Sequence, residues 1–282
     1  MNTLRSQMQA DMVLRGLAPR TQQHYINAVK GLAAHYGKRP DALSQDEVQC
    51  YLLHLIEERK LAWSSTNQMA CALRFFYHVT LARTDIGFII PNRRAPAKLP
   101  EILSREEVQR ILDACSNLRR RALLTTTYAA GLRVTETCSL KVSDIDSDRM
   151  MLRVSGGKGG KDRYTLLSPA LLDLLRQYWR GARPSDWLFP SAGNGLALKT
   201  GVVQKVFYAA KERAEVVKRG GIHSLRHAFA THLLEAGVDI HTIGTLMGHD
   251  RIDTTARYLH LRAQVANTDS PLDLLSGLRT RH

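Results

Sequence analysis

Three prolines within ten residues, Pro91, Pro96 and Pro100, divide this chain into two parts. Proline fixes its own backbone φ and lacks the amide hydrogen that a helix interior needs, so this stretch favours an extended chain. With 282 residues the chain is long enough for two domains that each have a core. We therefore predict two domains joined by a linker over residues 93–103.

The first part, residues 1–92, is predicted to be a small helical domain. Ser44 and Glu47 have the spacing of a capping box, which marks the start of a helix. Apolar residues recur at helical spacing in three stretches, 21–36, 47–58 and about 64–82.

The second part, residues 104–282, is predicted to be mainly helical with a small β-hairpin. A second capping box, Ser104 with Glu107, opens it. Strand patterns over 150–155 and 163–167 flank a glycine-rich turn, which is typical of a hairpin. Helices are predicted over 104–116 and 119–130, from Ser168 onward, and over 198–214, 223–236, 239–247 and 251–266.

The charge of the chain favours a polyanionic partner. Forty Lys and Arg residues against 26 Asp and Glu give a net charge of +14, and both parts are basic. Charge alone leaves nucleic acid, an anionic membrane surface and a generically basic protein open. The linker carries Arg93, Arg94 and Lys98, and it is either a tether that lies along a phosphate backbone or a linker with incidental charge.

Four short fragments and one tyrosine stand in a definite order in the second part. They are A-G-L-R-V-T-E (130–136), G-K-G (157–159), H-S-L-R-H (223–227), L-M-G-H (246–249) and Tyr258, nine residues after His249. Each fragment is a weak signal on its own. Their joint order, with the phrase H-S-L-R-H-A-F-A-T-H-L-L-E-A-G-V-D, resembles the tyrosine recombinase (phage integrase) family, and most of all its Xer-like and transposon-associated members. The resemblance is strongest over 101–262.

The chemistry of DNA cleavage explains why cations recur in these fragments. A phosphodiester attacked by a phenol passes through a crowded, multiply anionic phosphorane, and guanidinium groups can meet that charge with paired donors. Arg133 and Arg226 fit this role. His223 precedes Arg226 by one helical turn, so both lie on one helix face, and it can contact the phosphate or accept the phenolic proton. His249 is expected to contribute another phosphate contact.

Two further residues complete the catalytic set that the resemblance implies. Tyr258 is the nucleophile, and it stores the bond energy as a 3′-phosphotyrosine. Lys158, at the hairpin tip, protonates the 5′-oxygen that leaves. Lys161 lies at the same tip and is an alternative general acid. We expect Glu136 to orient Arg133 or to cap the chain locally rather than to react.

No cofactor and no metal are predicted. His223 and His227 lack the Glu of an H-E-x-x-H zinc motif, and no Cys lies near them. The glycine-rich turn around Lys158 lacks the spacing of a nucleotide-binding phosphate loop.

The resemblance implies a homotetramer on paired recombination sites in double-stranded DNA, with strand exchange through a Holliday junction. Off DNA the chain is expected to be monomeric or weakly associated, and a related recombinase or an accessory protein is a further candidate partner. No apolar run is long enough to span a membrane, so we expect a cytoplasmic, nucleoid-associated protein. The apolar piece 271–275 either packs on a neighbouring subunit or folds back on its own domain.

Two other functions stay open at this point. A type IB topoisomerase shares the same catalytic logic but works as a monomer. A DNA-binding accessory protein with misplaced catalytic residues would bind without cleaving.

Overall fold

The computed structural model describes residues 2–83, 87, 101–156, 162–193 and 195–248. The chain divides into two compact units, Met1–Lys98 and Leu99–His282, and each has a hydrophobic core of its own. The division falls within the predicted linker, but residues 88–100 lie outside the described part of the chain. The bounds of the linker therefore stay a prediction.

The first unit contains helices and no strand among its described residues, and this agrees with the predicted helical domain. Its helices are α1 (Asn2–Leu14), α2 (Pro19–Tyr36), α3 (Gln45–Glu57) and α4 (Trp63–Phe75), which continues into a π-helical turn, Phe76–Thr80. The capping box at the start of α3 is present, because Ser44 Oγ accepts from the amide of Glu47 and the Glu47 carboxylate accepts from the amide of Ser44. Helix α1 was not among the predicted stretches. Of its residues whose burial the structure describes, only Met8 and Met12 are buried in the core, and a single i, i+4 pair is too short a pattern to predict a helix.

The second unit combines seven described α-helices with three short strands. The elements are α5 (Arg105–Asp113), α6 (Leu118–Ala129), α7 (Val134–Cys138), β1 (Ile145–Asp146), β2 (Met151–Val154), β3 (Arg163–Leu166), α8 (Pro169–Ala182), α9 (Thr200–Arg213), α10 (His223–Glu235) and α11 (Ile240–Met247). The predicted fold class, mainly helical with a small sheet, is confirmed. The short helix α7 and the two-residue strand β1 were not predicted because they leave no periodic pattern. The helix predicted over 251–266 lies outside the described residues.

The sheet is antiparallel with strand order β1-β2-β3. Its register places Leu152 opposite Thr165 and Val154 opposite Arg163. Directly opposite residues share a face of an antiparallel sheet, so these four point into the unit, where Leu152, Val154 and Thr165 are almost completely buried. The apolar Tyr164 points the other way and is 49% exposed. Arg163 therefore reaches the interior from the first position of β3.

Among the described helices, none combines the length and the apolar character that crossing a membrane would require.

Candidate active site

The A-G-L-R fragment forms the turn between α6 and α7. Gly131 has a φ of +60°, and a Cβ at this position would overlap the ring of Phe229, so the turn needs glycine. Its carbonyl oxygen accepts a hydrogen bond from Nη1 of Arg226 at 2.6 Å. The turn delivers Arg133 to the N-cap position of α7. This short fragment therefore supplies a hydrogen-bond acceptor for Arg226 and places Arg133.

Glu136, in the first turn of α7, is the centre of a buried ionic cluster. Its Oε1 accepts from Nη1 of Arg133 and Nη1 of Arg163, and its Oε2 from the amide of Arg133 and Nη2 of Arg163, at 2.7–2.8 Å. Burial acts to raise the pKa of Glu136, but these hydrogen bonds and the charge of Arg163 outweigh it and lower the pKa to about 2. The carboxylate is therefore ionised, and it orients Arg133 as expected from the sequence.

Helix α10 carries the His-x-x-Arg fragment on one face. Arg226 is the largest fully buried side chain among the described residues, with 1% of its surface exposed. Its Nη1 and Nη2 donate to the carbonyl oxygens of Gly131 and Met247, and Nη1 lies 3.7 Å from Oε2 of Glu136. A buried guanidinium is stable only with such partners. The contacts fix this positive charge beside Arg133.

His223 lies one turn before Arg226 and is exposed at the surface. Its ring packs edge-to-face on His227, with the centroids 4.8 Å apart. Partial desolvation by the surrounding protein lowers the pKa of His223 from 6.5, and the charges of Arg226 and Arg133 lower it further against the opposing effect of Glu136. At neutral pH the imidazole is therefore uncharged and has one nitrogen that can accept a proton.

The carboxyl end of α11 lies against the three arginines. Nε of Arg163 donates to the carbonyl oxygen of Leu246 at 2.9 Å. The carbonyl oxygen of Met247 accepts from Nη1 of Arg133 at 3.4 Å and from Nη2 of Arg226 at 2.5 Å. Nη2 of Arg133 also donates to the carbonyl oxygen of Gly248 at 3.0 Å. These carbonyls have no partner within the helix, and the helix dipole makes this end negative. Arg133 and Arg226 thus meet at one shared acceptor.

The described residues therefore include three of the six predicted catalytic residues. Arg133 and Arg226 both lie within 4 Å of Glu136, and His223 lies one helical turn before Arg226 on α10. The other three, Lys158, His249 and Tyr258, lie outside the described residues. The competing Lys161 does so too.

The turn that carries Lys158 is described only at its two ends. There the amide of Gly156 donates to Oδ1 of Asp162 at 2.9 Å.

Arg163 was missing from the predicted site. The sequence predicts it only as the start of a strand, and the alternation in that strand favours Tyr164 and Leu166, not Arg163, as the inner residues. Residues two apart in a strand share a face, so a buried Thr165 places Arg163 on the inner side.

Metal-binding residues do not cluster here. Across the ranges that the structure describes, no three His, Cys, Asp or Glu side chains are grouped as they would be around a metal ion.

Comparison with known proteins identifies the family. Residues 101–265 match the model of the phage integrase family, and residues 4–85 match its N-terminal SAM-like domain. A putative integrase/recombinase of Sinorhizobium fredii is 46% identical over 277 residues, which cover 98% of this chain and 90% of the relative. The tyrosine recombinase XerC of Halalkalibacterium halodurans is 34% identical over 241 residues, 78% of each chain.

Solved structures agree with the sequence relatives. The crystal structure of the XerA recombinase matches with a TM-score of 0.54 at 26% identity, covering all of this chain and 99% of XerA. A lambda integrase dimer bound to a core site matches with a TM-score of 0.74 at 19% identity, covering 96% of this chain and 80% of the integrase. This second likeness concerns the fold. From its motifs, its fold and its relatives, the chain belongs to the phage integrase family of tyrosine recombinases, enzymes that break and rejoin DNA in site-specific recombination.

Proposed function

We propose that this chain cleaves DNA by attack of the Tyr258 hydroxyl on a phosphodiester. The tyrosine oxygen bonds to phosphorus, the bond to the 5′-oxygen breaks, and the products are a 3′-phosphotyrosine and a free 5′-hydroxyl. A 5′-hydroxyl from a second duplex then attacks the phosphotyrosine, which rejoins the strands and releases the tyrosine. Two such exchanges proceed through a Holliday junction, and the retained phosphoester bond makes an external energy source unnecessary.

One observation carries this proposal, the pairing of Arg133 and Arg226 around an ionised Glu136. The side chain of Arg133 is 24% exposed and can donate directly to a phosphate oxygen. Arg226 is buried, so its charge acts at short range in a medium that screens it weakly. Two fixed cations of this kind stabilise the charge that develops on the phosphorane.

The remaining roles follow from the same chemistry. The uncharged imidazole of His223 accepts the phenolic proton, and His249 donates to a phosphate oxygen. Lys158 protonates the departing 5′-oxygen, with Lys161 as the alternative.

We also propose that the working assembly is a homotetramer on paired DNA sites. A lambda integrase tetramer bound to a Holliday junction has the same fold, with a TM-score of 0.71 at 20% identity, and this supports the proposal.

The direct experiment uses a DNA duplex nicked close to the cleavage site, so that the cleaved product diffuses away and the covalent adduct accumulates. Wild-type protein is expected to form a 3′-linked adduct, and Tyr258→Phe is expected to form none at unchanged DNA affinity. Tyr164→Phe, a control at an exposed tyrosine, should form the adduct normally. An adduct in Tyr258→Phe would place the nucleophile elsewhere.

Two further measurements, relaxation and recombination of supercoiled DNA and binding of the nicked duplex, separate the two other functions. Relaxation of supercoiled DNA without recombinant products would indicate a topoisomerase, and tight binding without any adduct would indicate an accessory protein.

A further inference from the structure

Arg163 makes a set of contacts that differs from those of the two predicted arginines. Its Nη1 and Nη2 donate to the two carboxylate oxygens of Glu136, at 2.8 Å each, and its Nε donates to the carbonyl oxygen of Leu246 at 2.9 Å. All three side-chain nitrogens are engaged, and only 11% of the side chain is exposed. A paired, parallel contact of this kind fixes the plane of both groups. Arg163 is therefore bound within the protein rather than presented to a phosphate.

The first consequence concerns charge. Glu136 is the only carboxylate that contacts the arginine cluster among the described residues, and it also contacts Arg133 at 2.8 Å and lies 3.7 Å from Arg226. Within the described part of the chain, three guanidiniums and one carboxylate leave two net positive charges. Without Arg163 the carboxylate would have only Arg133 and Arg226 as charged partners among the described residues, and it would neutralise half of their positive charge.

The second consequence concerns position. Arg163 begins β3, five residues after Lys158 in the sequence, and its contacts join that strand to α7 through Glu136 and to the end of α11 through Leu246. Its side chain also packs against Gly248, where a Cβ would come within 2.8 Å of Cδ of Arg163. One residue therefore connects three separate chain segments that carry predicted catalytic residues or immediately adjoin them.

We propose that Arg163 is a positioning residue of the cleavage site, which holds the Glu136 carboxylate so that the charges of Arg133 and Arg226 remain available to the phosphate. The inference rests on the proposed function. It assigns to Arg163 an effect on reaction rate that acts through other residues, without contact to DNA.

The test compares Arg163→Met with Arg153→Met in single-turnover cleavage of the nicked duplex at saturating protein. Arg153 is a matched control, since it lies on the neighbouring strand β2 and also pairs with a buried carboxylate, Asp144, at 3.1 Å, outside the Glu136 cluster. Arg163→Met is expected to cleave about 10²-fold more slowly than wild type at unchanged DNA affinity, as for a small displacement of reacting groups. Arg153→Met is expected to cleave like wild type.

A second substrate distinguishes positioning from general loss of structure. Replacing a non-bridging phosphate oxygen by a methyl group gives an uncharged methylphosphonate, which depends far less on paired guanidiniums. The defect of Arg163→Met relative to wild type should shrink to less than about tenfold on this substrate, because less charge remains to be stabilised. A misfolded site would lose equal factors on both substrates.

Three results would overturn the inference. They are a normal rate for Arg163→Met, a defect equal on the charged and uncharged substrates, and an equal defect in Arg153→Met. If Arg163→Met does not fold, Arg163→Lys serves in the same comparison, because lysine keeps the charge but cannot form the paired contact. Failure of wild-type protein to form the adduct would instead overturn the proposed function, and this inference with it.

Discussion

Nη2 of Arg133 donates a hydrogen bond to the carbonyl oxygen of Gly248, at 3.0 Å, across 115 positions of sequence. Gly248 ends α11 in the left-handed conformation, with a φ of +63°. It directly precedes His249 and lies ten residues before Tyr258. The contact therefore makes the position of Arg133 depend on the chain segment that leads to Tyr258, the predicted nucleophile.

Gly131 is expected to tolerate no side chain. Gly131→Ala places a Cβ in the ring of Phe229 at a φ of +60°, and the backbone strain alone should lower the free energy of unfolding by about 1–3 kcal/mol. The matched control is Gly181→Ala in α8, where nothing lies within 4 Å, and it should raise stability by up to about 1 kcal/mol. Urea denaturation measures both, and equal stabilities for the two variants would contradict the argument.

The ionised Glu136 predicts a specific loss of stability in acid. Its pKa is about 2 in the folded protein against 4.5 for an unperturbed glutamate, so its contribution is complete above about pH 4.5 and is lost as the pH falls toward 2. A shift of this size corresponds to roughly 3 kcal/mol. Glu136→Gln should be less stable at neutral pH, with a flatter decline between pH 4.5 and 2. The free energy of unfolding of both proteins is measured with denaturant at each pH. If wild type and Glu136→Gln lose stability in parallel between pH 4.5 and 2, this assignment is refuted.

His223 predicts the acid limb of the cleavage reaction. Desolvation and the charges of Arg226 and Arg133 hold its pKa below 6.5, so the imidazole stays uncharged at neutral pH and becomes protonated only in more acidic solution. If it accepts the phenolic proton, the single-turnover rate should be constant near pH 7 and fall below pH 6.5. His223→Asn should be slower and should lose this pH dependence. A wild-type acid limb that persists in His223→Asn would assign the titration to another group.

Lys158 and Lys161 are separated by the chemistry of the leaving group. Replacing the bridging 5′-oxygen by sulfur gives a thiolate, which leaves without protonation, so the substitution removes the need for a general acid. Lys158→Ala should be about 10²–10⁴-fold slower on ordinary DNA and largely rescued by sulfur. Lys161→Ala should show a modest, equal defect on both substrates. Rescue of Lys161→Ala alone would reverse the roles, and rescue of neither would place the proton donor outside this turn.

The sequence by itself determined the elements whose signals are local. The capping boxes at Ser44 and Ser104 are present where their spacing predicted them, because their hydrogen bonds join residues only three apart. The order of the motif fragments likewise indicated the family without any contact information. The helix that brings His223 and Arg226 onto one face required only the i, i+3 spacing.

Only the tertiary structure decided how charge is arranged around Glu136. Hydrophobic alternation in β3 favours Tyr164 and Leu166 as the inner residues, yet both are exposed, and Arg163 and Thr165 point inward. The inversion has a physical cause, since Arg163 meets a carboxylate 27 positions away and Thr165 donates to the carbonyl of Ala130, 35 positions away. A buried polar group is stable only when such a partner is present, and local sequence does not encode which distant residue will provide it.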